Sequence, residues 1–299
     1  MKALPRIIVI VGPTASGKSS LALRLARMVG GEIISADSRL LYKGMDIGTA
    51  KPTLKERKNV RHHMIDLVPP SKTLTLADYK RRAFKAIRDI LKRGRAPIVV
   101  GGTGLYVRAI VENLEIPEVP PDPAYRAFLQ KKGKAWILAR IRKLDPEYAQ
   151  RIGPNPRYAT RALEVIKATG KPFGAQQGIG PKVFDALLLG FNPGKDALKR
   201  RITKRVEAMF RAGLVEEVRT LAKQYSSDLP SMSGIGYREL LPYLRNEISL
   251  NEARTAIKKN TEQYAKRQMT WWRRMGGILW LKSPEAALKE AKNWLKQAK

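Results

Sequence analysis

The sequence predicts an α/β protein: a parallel sheet flanked by helices, with a helical insertion interrupting it. Three observations predict this. Short apolar runs alternate with stretches of helical spacing in the first third of the chain. A proline-dense segment, "EIPEVPPDP" at 115–123, breaks the alternation. An apolar run, "VFDALLLGF" from Val183, restores it. Strands that alternate with helices pair in parallel through right-handed crossovers.

The elements follow in order. Residues 7–11, Ile-Ile-Val-Ile-Val, are continuously apolar, as in a strand covered on both faces. A glycine-rich loop comes next, then a helix through Met28. Residues 32–36 read as a second short strand. Residues 78–92 place Tyr79, Ala83, Ala86, Ile87 and Ile90 at helical spacing, and Gly94 ends that helix. Residues 97–100 are a third apolar strand, closed by Gly101-Gly102-Thr103-Gly104. From 124 to 168 the pattern is short basic helices without a strand, an insertion of roughly 70 residues, small for a domain. From 196 onward the chain is helical until "GILWL" at 277–281, the last strand. The expected organisation is a core of 1–114 and 183–299 and an insertion of 115–182.

Composition narrows the function. The 299 residues hold no Cys and two His, which excludes disulfides and thiolate metal sites and nearly excludes zinc. His62 and His63 are adjacent, so on an extended segment they point to opposite sides and suit a structural role. Lys and Arg number 58 against 26 Asp and Glu, a formal charge of +32 spread along the whole chain. Such an excess is either a solvated, heat-stable type of surface or the footprint of a polyanion. Its size favours a polyanion far larger than a nucleotide. No signal-like segment and no bilayer-length apolar run are present, so a soluble, cytoplasmic monomer without membrane contact is expected.

The loop after the first strand reads Gly12-Pro13-Thr14-Ala15-Ser16-Gly17-Lys18-Ser19, a G-x-x-x-x-G-K-S phosphate-binding motif between strand and helix. Loop amides and the helix N-terminus favour an anion. Lys18 adds a point charge, and the Ser19 hydroxyl can ligate Mg²⁺. The fold class is therefore a P-loop NTPase-like parallel sheet. An NTPase usually adds an acid at the end of another apolar strand to hold the metal. Here residues 97–100 run into glycines, and Asp37, in "IISADSRLLY", is the acid that closes an apolar strand near the loop. Strand carboxyl ends surround the ligand in an open parallel sheet, so Asp37, Ser38 and Thr103 are expected to face the phosphates. On spacing alone Asp37 is equally a turn or cap residue, and Thr103 a turn residue. Arg201 and Arg205, in "KRRITKRVEAMF", are either a phosphate clamp or the basic face of an ordinary helix.

These residues carry a resemblance. "GPTASGKSSLA", "ISADSRLLYKGMDIGTAKPT", "HHMIDLV", "VGGTGLYVRAI", "RALEVIKATGKP", "RVEAMFRAGLVEEV", "GIGYREL" and "YAKRQMTWWRR" occur in the order and spacing of the tRNA dimethylallyltransferases. The resemblance spans nearly the whole chain. It implies transfer of a dimethylallyl group from its diphosphate to the exocyclic N6 amino group of the adenine just downstream of the tRNA anticodon. The P-loop, Gly12 to Ser19, then holds the prenyl diphosphate rather than ATP, with Mg²⁺ on Ser19 and Arg201 among the phosphate ligands. Asp37 becomes the general base, with Thr103 and Arg205 beside it. The resemblance also implies contacts to the tRNA anticodon stem-loop at Asp37, Ser38, Arg39, Leu40 and Thr103; at Arg126, Arg157 and Arg161; at 233–238, including Gly234, Gly236, Tyr237 and Arg238; and at 266–273, including Lys266, Arg267, Gln268, Trp271 and Arg273. In this last segment Tyr264, Gln268, Trp272 and Met275 share a helical face, and the Trp pair reads more readily as core than as a base-stacking platform.

Two departures bear on tRNA contact. Leu40 stands where the family often has Gln, and Tyr158 where an Arg is expected. No zinc finger follows the last strand, as in the bacterial form. The competing functions are a P-loop nucleoside or small-molecule kinase, an isopentenyltransferase acting on free adenine nucleotides, and an RNA-binding protein with a vestigial P-loop.

Overall fold

The computed structural model describes residues 3–297. Two compact units emerge: one comprises the chain up to Leu74, Tyr79–Val111 and everything from Val183; the other comprises Thr75–Asp78 and Glu112–Lys182.

The first unit is the sheet. In chain order it contains β1 (Arg6–Val11), α1 (Lys18–Val29), β2 (Glu32–Ser35), α2 (Leu54–Asn59), β3 (His62–His63), α3 (Leu76–Lys92, whose first residues fall in the second unit), β4 (Pro97–Gly101) and α4 (Gly104–Val111). The strands lie in the order β3-β2-β4-β1, and every pairing is parallel. The order puts the carboxyl ends of β1, β4 and β2 side by side. Residues Ile7 to Val11 have no exposed surface, as their continuous apolar pattern requires.

The second unit begins at β5 (Leu114–Glu115) and continues through α5 (Pro123–Leu144), α6 (Pro146–Ile152), α7 (Pro156–Thr169) and β6 (Gly178–Ile179). β5 and β6 form a two-stranded antiparallel ribbon. The helices start on Asp122, Asn155 and Asp145 caps, each followed by proline. At Gly133, φ 81° and ψ 167° are non-helical, so α5 is two short helical stretches meeting at a kink, in keeping with the short helices expected. Leu129, Ile137, Ile141, Ala159, Leu163 and Phe173 close its own small core.

The chain returns to the sheet with β7 (Asp185–Phe191), α8 (Lys195–Arg211), α9 (Leu214–Gln224), α10 (Leu240–Leu244), α11 (Leu250–Arg274), β8 (Ile278–Leu281) and α12 (Pro284–Lys296). β7 pairs with β1 and β8 with β7, again in parallel. One core packs α1 and α12 on the sheet through Leu21, Leu25, Ala287, Ala291, Ile8 and Ile98. A second gathers α8 to α11 around Tyr42, Met45, Ile202, Val206 and Ile257. Each Leu, Ile, Val or Met among these contributes about 1.5–3 kcal/mol on burial, which fixes α8 and α11 beside the strand ends. The 25-residue α11 starts on a Ser249–Glu252 capping box.

His62 and His63 have structural partners. His63 Nε2 lies 2.6 Å from Glu32 Oε2, and His62 Nδ1 lies 2.7 Å from the Val60 carbonyl.

Candidate active site

Strand ends, α8 and α11 converge on the P-loop. Gly12 must be glycine: its φ is 151°, and a Cβ there would lie 2.4 Å from the Phe191 carbonyl oxygen. The loop is held by protein groups on three sides. Lys18 Nζ donates to the Pro13 carbonyl at 3.0 Å. Arg201 Nη1 donates to the Ser16 carbonyl at 2.5 Å. The Thr14 amide donates to Gln268 Oε1 at 2.7 Å. Two loop amides are therefore committed within the protein, since the Ser16 amide donates to the Pro13 carbonyl at 3.2 Å.

Beside the loop, a cavity of about 140 Å³ is lined by Thr14, Lys18, Ser19, Ser35, Asp37, Leu40, Thr49 and Arg205, among others. A larger cavity, about 500 Å³, shares Ala50, Lys51, Pro52 and Arg205 with it. Asp37 follows β2 closely. Its Oδ1 accepts the Arg39 amide at 2.9 Å, so the turn reading and the cavity reading both describe it. The Thr103 hydroxyl accepts the Ser38 amide at 3.0 Å, and the Thr103 amide donates to the Ala36 carbonyl at 3.1 Å. The turns after β2 and β4 are thus tied to each other. Arg205 Nη1 donates to Thr14 Oγ1 and Nη2 to the Thr49 carbonyl, both at 3.3 Å.

The charges here are under-compensated. Part of the Lys18 side chain is exposed, yet burial of its ammonium pushes it down to about 8; the Asp37 charge opposes the shift and Arg205 adds to it. Burial also lowers the Arg205 guanidinium, against the pull of Asp37. Lys51 and Glu56 also line the cavity, but Lys51 is paired with Asp46 and Asp66 and Glu56 caps α2, so Lys18 and Arg205 against Asp37 leave this end net positive, suited to a polyanionic group with a proton acceptor at its edge.

The structure sorts the other expected residues. Lys266, Arg267 and Arg273 lie exposed on α11, and Arg157 is exposed on α7. Trp271 is 36% exposed, whereas Trp272 is fully buried, so the pair divides between surface and core. Tyr237 and Gln268 are both buried. Tyr237 donates to Glu217 at 2.7 Å, and Gln268 bridges Thr14 and the Gly102 carbonyl. The fork of Arg126 is held by the buried Glu164 at 2.6 and 2.7 Å. Arg161 contacts Glu164 and the Val119 carbonyl, and Arg238 contacts Glu239. Arg39 bonds the Pro230 and Ser231 carbonyls and Ser233, bracing the turn that carries Gly234 and Gly236. Arg201 is absent from the cavity wall and braces the loop backbone, whereas Arg205 lines the cavity.

Sequence reasoning missed Lys51 and Asp66. Asp66, just beyond β3, is a second strand-end acid, but not a free one. Lys51 Nζ, almost wholly buried, bonds Asp66 Oδ1 at 2.6 Å, Asp46 Oδ1 at 2.5 Å and the Tyr42 carbonyl at 2.8 Å, while Arg57 holds Asp66 Oδ2. Burial resists ionisation of Asp66, but the bonds from Lys51 and Arg57 outweigh it and hold its carboxyl below the usual range. Lys51 lies inside "GTAKPT", so its position was in view; its three partners were not.

The comparisons agree with this geometry. Residues 40–275 match the family described as IPP transferase. A tRNA dimethylallyltransferase of Roseiflexus sp. (strain RS-1) is 46% identical over 290 residues, 95% of each chain. One from Pelotomaculum thermopropionicum is 46% identical, covering 92% of this chain and 90% of that one. Among solved structures, the tRNA isopentenylpyrophosphate transferase of Bacillus halodurans superposes with a TM-score of 0.72 at 37% identity, covering 98% of this chain and 96% of its own. A eukaryotic dimethylallyltransferase acting on tRNA superposes at 0.86 with 30% identity, covering 98% and 80%. The P-loop-type sheet and these relatives together place the chain in the IPP transferase family, among the tRNA dimethylallyltransferases.

Proposed function

We propose that the protein transfers a dimethylallyl group from dimethylallyl diphosphate to the exocyclic N6 amino group of the adenosine immediately downstream of the anticodon in tRNA, releasing pyrophosphate. The observation that carries the reading is Asp37 lining one cavity with Lys18, Ser19 and Arg205.

The chemistry asks for that set. An adenine amino group is a weak nucleophile, because its lone pair is delocalised into the ring. As N6 forms its bond to the allylic carbon, the carbon–oxygen bond to the diphosphate breaks and an N6 proton passes to the Asp37 carboxylate. Such a base contributes ~10²–10⁴-fold. Lys18 and Arg205, with the N-terminus of α1, neutralise the charge that grows on the leaving oxygen. Thr103 holds the Ser38 amide and so the turn that carries Asp37.

No cluster of three His, Cys, Asp or Glu is present among the described residues. Mg²⁺ binds well with one or two protein oxygens completed by phosphate oxygens and water, and the Ser19 hydroxyl on the cavity wall fits that set. Bound there, the ion supplies further neutralisation of the diphosphate. On this reading the partners are dimethylallyl diphosphate and a tRNA anticodon stem-loop, and the protein acts as a cytoplasmic monomer. Among the described residues, no helix is long and apolar enough to cross a membrane.

Incubation with labelled dimethylallyl diphosphate and unmodified tRNA, followed by nucleoside analysis, tests the reading. The expected product is N6-dimethylallyl adenosine without ATP. Label on free AMP alone points to the nucleotide isopentenyltransferase, and ATP-dependent phosphotransfer with no prenylated adenosine points to the kinase.

A further inference from the structure

The P-loop and the β4 turn are joined by one side chain that belongs to neither. Gln268, on α11, is buried, and its amide is used at both ends. Oε1 accepts the Thr14 amide of the P-loop at 2.7 Å, and Nε2 donates to the Gly102 carbonyl at 2.9 Å. The approach is close because the β4 turn has no side chains in the way. A Cβ on Gly102 would lie 2.1 Å from Gln268 Nε2, and one on Gly104 would lie 1.9 Å from Trp271 Nε1. Beyond Gly102, Thr103 bonds the Ser38 amide next to Asp37.

We propose that Gln268 is a positioning residue that locks the diphosphate-binding loop to the turn carrying Thr103, setting the distance between the leaving group and the base. This rests on the function proposed above. An amide is the neutral group that accepts at one atom and donates at the other. An apolar replacement leaves the part-buried Thr14 amide and the buried Gly102 carbonyl without this partner. A loop free to shift by about 1 Å loses ~10²-fold in a reaction that depends on alignment.

The sharpest test is Gln268→Glu, with Gln268→Met as reference. A protonated Glu repeats the pattern, its carbonyl oxygen accepting from Thr14 and its hydroxyl donating to Gly102. An ionised Glu repels the Gly102 carbonyl. Burial raises the carboxyl pKa; the Lys18 ammonium, which like Gln268 Nε2 borders Gly102, opposes that rise, and the Tyr264 hydroxyl that Gln268 also bonds stays neutral throughout the range measured. Inorganic pyrophosphate binding is measured by calorimetry from about pH 5.5 to 8 and expressed at each pH relative to the parent, with thermal midpoints in parallel. The expected result is affinity roughly tenfold below the parent at the alkaline end and recovering toward it at the acid end for Glu, and a pH-independent loss for Met. A Glu/parent ratio flat with pH, or a Met variant that binds as the parent does, overturns the positioning role, whatever the thermal midpoints show. A parent that binds neither pyrophosphate nor dimethylallyl diphosphate overturns the underlying function and this role with it.

Discussion

The phosphate end of the sheet and the centre of the helical unit treat buried charge in opposite ways. In the helical unit, Glu164 has no exposed side-chain surface, and Arg126, Arg161 and the Asp122 amide all bond it. Burial alone would raise its carboxyl, but those partners win and hold it below the ordinary carboxylate value of 4.5. At the phosphate end, Lys18 is pushed down and Arg205 is lowered, both chiefly by burial, and neither makes an ion pair with a carboxylate within bonding distance. A charge saturated by its own protein is architecture. A charge kept half-desolvated and short of counter-charge raises the free energy of the empty site, and an anionic ligand recovers that cost.

The largest effect tests the third population, the exposed Lys and Arg of α11 and α7. If these cations also await a polyanion, tRNA affinity should fall by ~10³–10⁵ between about 50 and 200 mM salt, given about 6–10 phosphate contacts. A filter-binding series with a flat profile would class them as solvated surface. Next comes Asp37, the carboxylate beside Lys18 and Arg205. Asp37→Asn keeps shape and hydrogen bonding but cannot take a proton, so the single-turnover rate should drop by roughly 10²-fold or more with both substrates still bound. A near-parental rate would leave Asp37 a positioning group and pass the proton to a pyrophosphate oxygen or to solvent.

On the saturated side, Glu164→Ala should cost about 3 kcal/mol, since it strips two guanidinium groups and the Asp122 amide of their partner. Denaturant unfolding should show this while pyrophosphate affinity is unchanged. The sign with pH is set by the lowered carboxyl: the network stabilises fully above the unfolded value of 4.5, and that stability is lost as pH falls through the lower folded value. An acid limb identical in the variant and the parent would break the comparison. The smallest effect concerns Lys18. Because the ammonium sits at about 8 in the free protein, a bound anion draws a proton onto it. Pyrophosphate binding near pH 8 should take up a fraction of a proton, and affinity should weaken by up to about tenfold per unit as pH rises further. Calorimetry in buffers of different ionisation enthalpy measures this; no uptake would mean that Lys18 is already fully charged.

Much of this was legible in the residues, and the parts that were not share a cause. The apolar run before Gly12, the motif through Ser19 and the placement of Asp37 after a short strand are patterns within a few residues of one another, and the sheet kept them. The bonds that Arg126, Tyr237 and Arg39 make to a carboxylate or to carbonyls elsewhere in the chain left no such local pattern. A side chain's type tells what it can bind; its partner is chosen by packing.

What the sequence determined by itself is the α/β class, the parallel strands, the phosphate loop, the family and the acid at the strand end. Each rests on local periodicity, backbone geometry or an ordered set of motifs, none of which needs the tertiary contacts to be known. Only the tertiary structure decided that Trp271 is exposed while Trp272 is core, that Asp66 is neutralised by Lys51 and Arg57, and that Gln268 fastens the P-loop to the β4 turn. The physical reason is distance along the chain. Gln268 and Thr14 are 254 residues apart and meet only because the buried face of α11 packs against the strand ends. A hydrogen bond of 2.7 Å between such residues leaves no periodic trace, since it depends on where two elements come to rest and not on the spacing within either.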